Sequence, residues 1–189
     1  MRTLIPVVAT LFVAMQTGCS DYGTVQPPSA PPASRAESRA ADASVHNITL
    51  LDGCDPATFN AVLGAGTCVK SGGVTFTRFI AQLTQRGVAE AWRFTPTSVE
   101  ARVGQSLLAL NNGGEVHTFT EVASFGGGVV PRLNELSGNR TVAPECAALA
   151  PTDFVPSGGT DTDILTAPGT ELYQCCIHPW MRTVVHIRS

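Results

Sequence analysis

Apolar residues along this chain fall into successive regimes, and each predicts a different kind of element. Leu4 to Met15 is a largely apolar run of twelve, too short to span a bilayer. From Ser20 to Ser44 the signal vanishes: Pro27, Pro28, Pro31 and Pro32 stand in an Ala/Ser background, the composition of a disordered tether that cannot bury a core. Between Cys54 and Gly87 the spacing turns helical. Asp55-Pro56 offers the N-cap and first-turn pairing of a short helix, with Phe59, Val62 and Leu63 inward and Gly64 ending it. Phe76, Phe79, Ile80 and Leu83 recur at i, i+3, i+4 and i+7 and are stopped by Gly87.

A period of two governs the rest. His46 to Leu51 reads as a first strand. Trp92 and Phe94 alternate with polar neighbours, Val99, Ala101 and Val103 lead to Gly104-Gln105, and Leu108 and Leu110 lead to Asn111-Asn112-Gly113-Gly114. Those turn residues predict hairpin-linked strands. On the next strand His117, Phe119 and Glu121 share one face, with Val116, Thr118 and Thr120 on the other. The Gly- and Pro-rich stretch from Gly126 to Pro168 reads as irregular loops with one helical turn. Leu172 to Cys175 and Thr183 to Ile187 close the chain as two strands. The expectation is an all-β domain over 46–189 with a helical insertion at about 54–87.

Composition narrows the function. Charged residues are 14% and the net charge is −3, so there is no basic footprint for nucleic acid. Arg2 ahead of the apolar run gives residues 1–19 the layout of an export signal. Thr17-Gly18-Cys19 resembles a bacterial lipoprotein cleavage site with Cys19 as the acylated residue, although Gln16 stands where such sites usually carry Leu; plain cleavage and release is the other reading. Residues 20–45 are then the linker of a domain in the periplasm or at the cell surface, an oxidising place, with membrane contact only through that lipid.

The densest chemistry is Tyr173-Gln174-Cys175-Cys176-Ile177-His178-Pro179-Trp180-Met181. It sets a thiolate, an imidazole and a thioether at three-residue steps: Cys175, His178 and Met181. A second imidazole, His117, lies upstream in Gly114-Glu115-Val116-His117-Thr118-Phe119. Taken singly, each has an ordinary reading: strand histidine, core methionine, half of a disulfide, turn residue. Together they form the ligand set of a blue-copper electron-transfer centre.

With Phe94-Thr95-Pro96, Val99, Val103-Gly104 and Asn111 ahead of that first histidine, the stretch from Trp92 to Ser189 resembles the cupredoxins, most closely the plastocyanin and amicyanin group. Cys175 to Met181 resembles the short amicyanin ligand loop, a spacing that selects Cys175 over Cys176 as the thiolate. The resemblance implies a Greek-key β-sandwich with one copper at one end, held by His117, Cys175, His178 and Met181. It implies that His178 reaches the surface through an uncharged patch with Pro179 and Trp180, where a redox protein partner touches a monomer. Thr118 would face away from the metal, its hydroxyl tying the strand to the loop. The helical insertion and Cys176 lie outside the family pattern.

Those ligands leave no open position and have no paired acid or base, which favours a one-electron carrier over a catalyst. Copper oxidases and nitrite reductases place His directly beside the ligand Cys, and here the neighbours are Gln174 and Cys176. A copper store, chaperone or sensor and a metal-free interaction module remain as alternatives. His46 and His186 have no partner at ligand spacing and read as structural. Of six cysteines, Cys19 goes to the lipid and Cys175 to the metal. Cys54 with Cys68 and Cys146 with Cys176 then make two disulfides, against the alternative of buried free thiols.

Overall fold

The computed structural model describes residues 44–189; the export-signal and Cys19 readings and the tether as far as residue 43 lie outside the described residues, while Val45, expected at the end of the tether, opens the first strand. Strand β1 (Val45–Leu51) is followed by helices α1 (Pro56–Leu63) and α2 (Phe76–Arg86), then β2 (Arg93–Thr95), β3 (Ser98–Arg102), β4 (Ser106–Asn111), β5 (His117–Thr118) and β6 (Thr120–Val122). Next come α3 (Pro131–Leu136), α4 (Pro144–Ala147), a 3-10 turn (Pro151–Asp153), β7 (Phe154–Val155) and β8 (Thr160–Ile164). The closing pair is β9 (Gly169–Gln174) and β10 (Arg182–Arg188). No helix of the described residues is long and apolar enough to cross a membrane.

One sheet runs β2-β1-β4-β8, a second runs β3-β10-β9-β6, and β5 pairs with β7 apart from both. Ile48, Leu50, Phe94 and Leu107 of the first sheet lie in one buried cluster with Val99, Tyr173 and Val185 of the second. The two sheets therefore share a core, and the chain is an all-β sandwich with short helices. The inserted helices start where the sequence marks them. Asp55 Oδ2 accepts the Thr58 N–H at 3.0 Å, the Thr75 hydroxyl accepts the Arg78 N–H at 3.3 Å, and the Gly87 N–H closes α2 on the Leu83 carbonyl at 2.8 Å.

Four expectations are corrected. Val62 and Leu63 are exposed, and Phe59 is the buried residue of α1, because a helix this short presents one narrow stripe, which Phe59 fills by stacking on Trp92 at 5.7 Å. Leu107 and Ala109 point into the core while Leu110 is exposed. The apolar run Leu107-Leu108-Ala109-Leu110 has no alternation of its own, so the pairing of β4 with β1 and β8 sets which face turns inward. Gly104 and Asn111–Gly114 carry turns but not hairpins: β3 and β4 belong to different sheets, and β5 pairs with β7. The stretch 126–168 holds two helices and two strands besides loops. Its strand β8 is a polar edge, Thr-Asp-Thr-Asp-Ile, without an apolar face to announce it.

The insertion is pinned by a Cys54–Cys68 disulfide, and Phe59, Phe79 and Leu83 seat it on the core. Replacing both cysteines by serine should lower unfolding free energy by about 3 kcal/mol, the loop-closure value for a segment of this size. Val62→Ala, on the exposed side, should change it by less than about 0.5 kcal/mol. Urea unfolding measures both.

Candidate metal centre

β9 and β10 pair antiparallel with Gln174 opposite Arg182, so residues 175–181 form the loop between them. That loop closes on itself: the Cys175 N–H donates to the Met181 carbonyl at 3.0 Å and the Met181 N–H to the His178 carbonyl at 2.9 Å. It is also tied from outside. Cys176 is bonded to Cys146, the Val129 N–H donates to the Cys176 carbonyl at 2.7 Å, and Arg182 Nε donates to the Pro179 carbonyl at 2.7 Å. A Cβ on Gly128 would lie 1.8 Å from that Cys176 oxygen, so only glycine lets the two backbones meet.

His117 reaches the same place from another direction. Buried Asn111 organises the chain ahead of it, its amide donating to the Glu115 carbonyl at 2.7 Å and the Val155 carbonyl at 2.8 Å, while its oxygen accepts the Gly113 N–H at 2.9 Å. Thr118 joins this strand to the loop. Its N–H donates to Cys175 Sγ at 3.5 Å, and its hydroxyl accepts the Cys176 N–H at 2.8 Å.

The result is a convergence of donor atoms. Cys175 Sγ lies 3.8 Å from His117 Nδ1 and 3.9 Å from His178 Nδ1, and the three ligand atoms all fall within 4.8 Å of one another. Cys175 is the one cysteine outside a disulfide among the described residues. Two donors about 2.0–2.3 Å from one ion and spread in a trigonal plane are separated by roughly 3.7 Å, close to the two sulfur–nitrogen distances here. A thiolate with two imidazoles suits copper or zinc. Met181, fully buried in the same cluster as Cys175, enters through the loop's backbone bonds. His46 and His186 lie apart, facing Gln105 and Thr170.

Two carboxylates at this centre carried no signal in the sequence. Asp52, just after β1, has Oδ2 3.0 Å from His117 Nε2; the same oxygen accepts the Glu115 N–H at 2.9 Å, and Oδ1 accepts the Cys54 N–H at 3.2 Å. Glu115 Oε2 accepts the Trp92 indole N–H at 2.5 Å and lies 3.7 Å from His178 Nε2. All four side chains are at most 7% exposed. Burial alone would push the Asp52 carboxyl up, but the His117 hydrogen bond and backbone N–H groups hold it at about 2. Burial would likewise depress His117, yet its bonds to Asp52 and Cys175 raise it to about 9. The Cys175 thiol, which burial would raise, is held well below its usual range by the two imidazoles. For Glu115 burial prevails and the carboxyl is raised. Each partner thus favours the charged form of the other, Cys175 toward thiolate and His117 toward imidazolium.

The expected surface patch at His178 is not there. His178 is 3% exposed, Pro179 and Met181 are buried, and Trp180 is half-buried. The inserted α2 supplies the cover: the Phe79 ring stands 6.3 Å from the imidazole, with Trp92 at 6.4 Å and Trp180 at 5.5 Å. Beside this cover is an apolar cavity of about 440 Å³, lined by Leu63, Phe76, Phe79, Ile80 and Ile177 and reaching His178 and Glu115.

No protein-family model matches the sequence, and no curated protein does. Solved structures do. A purple cupredoxin from Nitrosopumilus maritimus aligns at 14% identity over 76% of this chain and 99% of its own, with a TM-score of 0.43. A methionine-to-alanine variant of amicyanin in its Cu(I) form aligns at 17% identity over 51% of this chain and 73% of its own, TM-score 0.36. A reduced tryptophan-to-tyrosine amicyanin variant gives 19%, 53%, 77% and 0.35 in the same terms. These likenesses are distant, and the chemistry of the site rests on its own geometry.

Gly128→Ala should cost about 3 kcal/mol, read as a lowered midpoint in thermal or urea unfolding, because backbone rather than a mobile side chain blocks the methyl. Asp52 is depressed on folding, so its contribution is complete above its unfolded value of 3.8 and is lost as pH falls through about 2. The metal-free protein should therefore lose about 2 kcal/mol over that window, a loss missing from Asp52→Asn when unfolding is followed across pH.

Proposed function

We propose that the chain is a cupredoxin-type copper protein that carries single electrons outside the cytoplasm. The observation that carries this reading is the buried sulfur of Cys175 with an imidazole Nδ1 at 3.8 Å and another at 3.9 Å, set in a loop that ends at the buried Met181. Bound copper supplies a change of oxidation state by one electron at an unchanged ligand set. Cys175 would meet it as a thiolate, and His117 and His178 would bind through Nδ1 lone pairs. Asp52 keeps the Nε2 proton of His117 in place meanwhile. The closed hydrogen-bond circuit from Cys175 to Met181 and the Cys146–Cys176 bridge hold the donors in one arrangement, so that a change of charge need not move them. Phe79, Trp92 and Trp180 surround His178 and leave it 3% exposed. Burial of every donor favours a retained metal over the exchange that a chaperone or store requires. The redox protein partner then touches the aromatic cover over His178 rather than the imidazole edge itself.

A visible spectrum of the Cu(II)-loaded chain tests this. An intense thiolate-to-copper band is expected, bleached by a mild reductant and abolished in Cys175→Ser. Cys146→Ser should keep the band while releasing copper faster to a chelator. A colourless wild-type protein would overturn the electron-carrier reading.

A further inference from the structure

Histidines that bind metal through one nitrogen are oriented by whatever holds the other. Here both imidazoles turn Nδ1 to Cys175 Sγ, and the outer nitrogen of each faces a buried carboxylate: His117 Nε2 is 3.0 Å from Asp52 Oδ2, and His178 Nε2 is 3.7 Å from Glu115 Oε2. The carboxylates come from different parts of the chain and face different rings, so the doubling is not one local accident.

We propose that Asp52 and Glu115 are positioning residues of the copper centre: Asp52 holds the His117 imidazole by its outer nitrogen, Glu115 stands against that of His178, and the two carboxylates bias the site toward Cu(II). The proposal rests on the copper reading above and deepens it.

The hydrogen-bond inventory argues for anions. The backbone groups that meet Asp52 are the N–H groups of Glu115 and Cys54, which can only donate. The indole of Trp92 that meets Glu115 is likewise a donor only. With His117 donating from Nε2, every neighbour named at these oxygens asks for an acceptor. Neutral amides would satisfy fewer of them: an Asn at 52 that kept its oxygen toward His117 would turn its NH₂ against the Cys54 N–H. A Gln at 115 would lose less, since the hydrogen bond this carboxylate accepts, from the Trp92 indole, goes to one oxygen, Oε2, whose place an amide oxygen can take. Glu115→Gln is thus the cleaner removal of charge, and Asp52→Asn removes charge together with a structural bond.

The charge argument sets the sign. Copper changes by one positive charge between its states while the Cys175 thiolate stays constant. Negative charge on the carboxylates, in surroundings of lower dielectric than water, favours the more positive state, and screening by salt is weak at this burial. Loosening of the site, by contrast, would weaken both states together. The ratio of Cu(II) to Cu(I) affinity therefore separates the proposed role from a merely structural one.

The experiment measures that ratio by competition with chelators for each oxidation state, and independently by voltammetry, for wild type, Glu115→Gln and Asp52→Asn. Each variant is expected to lower the ratio by roughly 10-fold or more, within the range seen for partners of metal-bound histidines; tenfold equals a rise in potential of about 59 mV for one electron. A ratio unchanged within about twofold in Glu115→Gln, or equal weakening of both states, would overturn the proposal even if Asp52→Asn fails to fold. A readout without copper accompanies it: proton NMR of the metal-free wild type should show a slowly exchanging His117 Nε2–H, and its absence would overturn the Asp52 half. Absence of the thiolate-to-copper band in wild type strikes the copper reading instead, and with it this proposal, so the two failures are told apart by which protein fails.

Discussion

A thiolate buried away from water is tolerable only where donors and positive charge surround it, and the site is organised by that demand. Cys175 Sγ accepts N–H bonds from Thr118 and His178 and faces two imidazoles. Meeting those needs draws in β5, the end of β9, the turn before β10 and, one step further out, the residue that follows β1. The His117 imidazole then requires a partner for its far side, which takes the dependence to Asp52. The sandwich supplies rigid strand ends; the sulfur decides which ends must meet.

The inserted helices belong to the same network. The Val69 N–H donates to the Gly114 carbonyl at 2.9 Å, and Lys70 Nζ donates to the Asn112 carbonyl at 2.8 Å, so the insertion braces the turn that delivers His117. Gly114 lies so close that a Cβ there would sit 2.5 Å from the Lys70 carbonyl oxygen and 2.8 Å from Cys54 Sγ. At its other end α2 places Phe79 against Trp92, centroids 4.5 Å apart, with both rings beside His178. Aromatic contacts of this kind add about 0.5–1.5 kcal/mol each beyond burial. One insertion thus supports one imidazole from behind and covers the other.

Much of this was legible in the residue order, and the illegible part has physical reasons. The two inserted helices, β1, β9 and β10 carry local periodicity and caps, and both disulfides follow once Cys19 and Cys175 are set aside and the other four cysteines are paired. Cys175 and His178 can be read together because one short loop holds them. Strand β8 was hidden because an edge of alternating Thr and Asp buries too little to leave an apolar stripe. The facing of β4 was hidden because four consecutive apolar residues fit either register. Asp52 was invisible because its bond to His117 spans 65 positions, and no spacing rule links an acid after one strand to a histidine on another. The burial of His178 depends on aromatic residues far upstream, so the loop's own composition suggested an exposed patch instead.

The neighbouring sulfurs of Cys175 and Cys176 have opposite fates, and strand geometry alone divides them. Tyr173 and Cys175 face the main core, while Leu172 and Cys176 face the smaller cluster with Cys146. In the unfolded chain the two thiols would reach Cys146 by loops that differ by one residue, which closure entropy cannot distinguish. Oxidation before β9 and β10 are in register would therefore trap either sulfur with nearly equal ease, and the wrong choice consumes the thiolate. Maturation of this protein has an order built into it: pairing of the final hairpin must precede oxidation at Cys146, and an isomerase able to reverse the error has a ready substrate here.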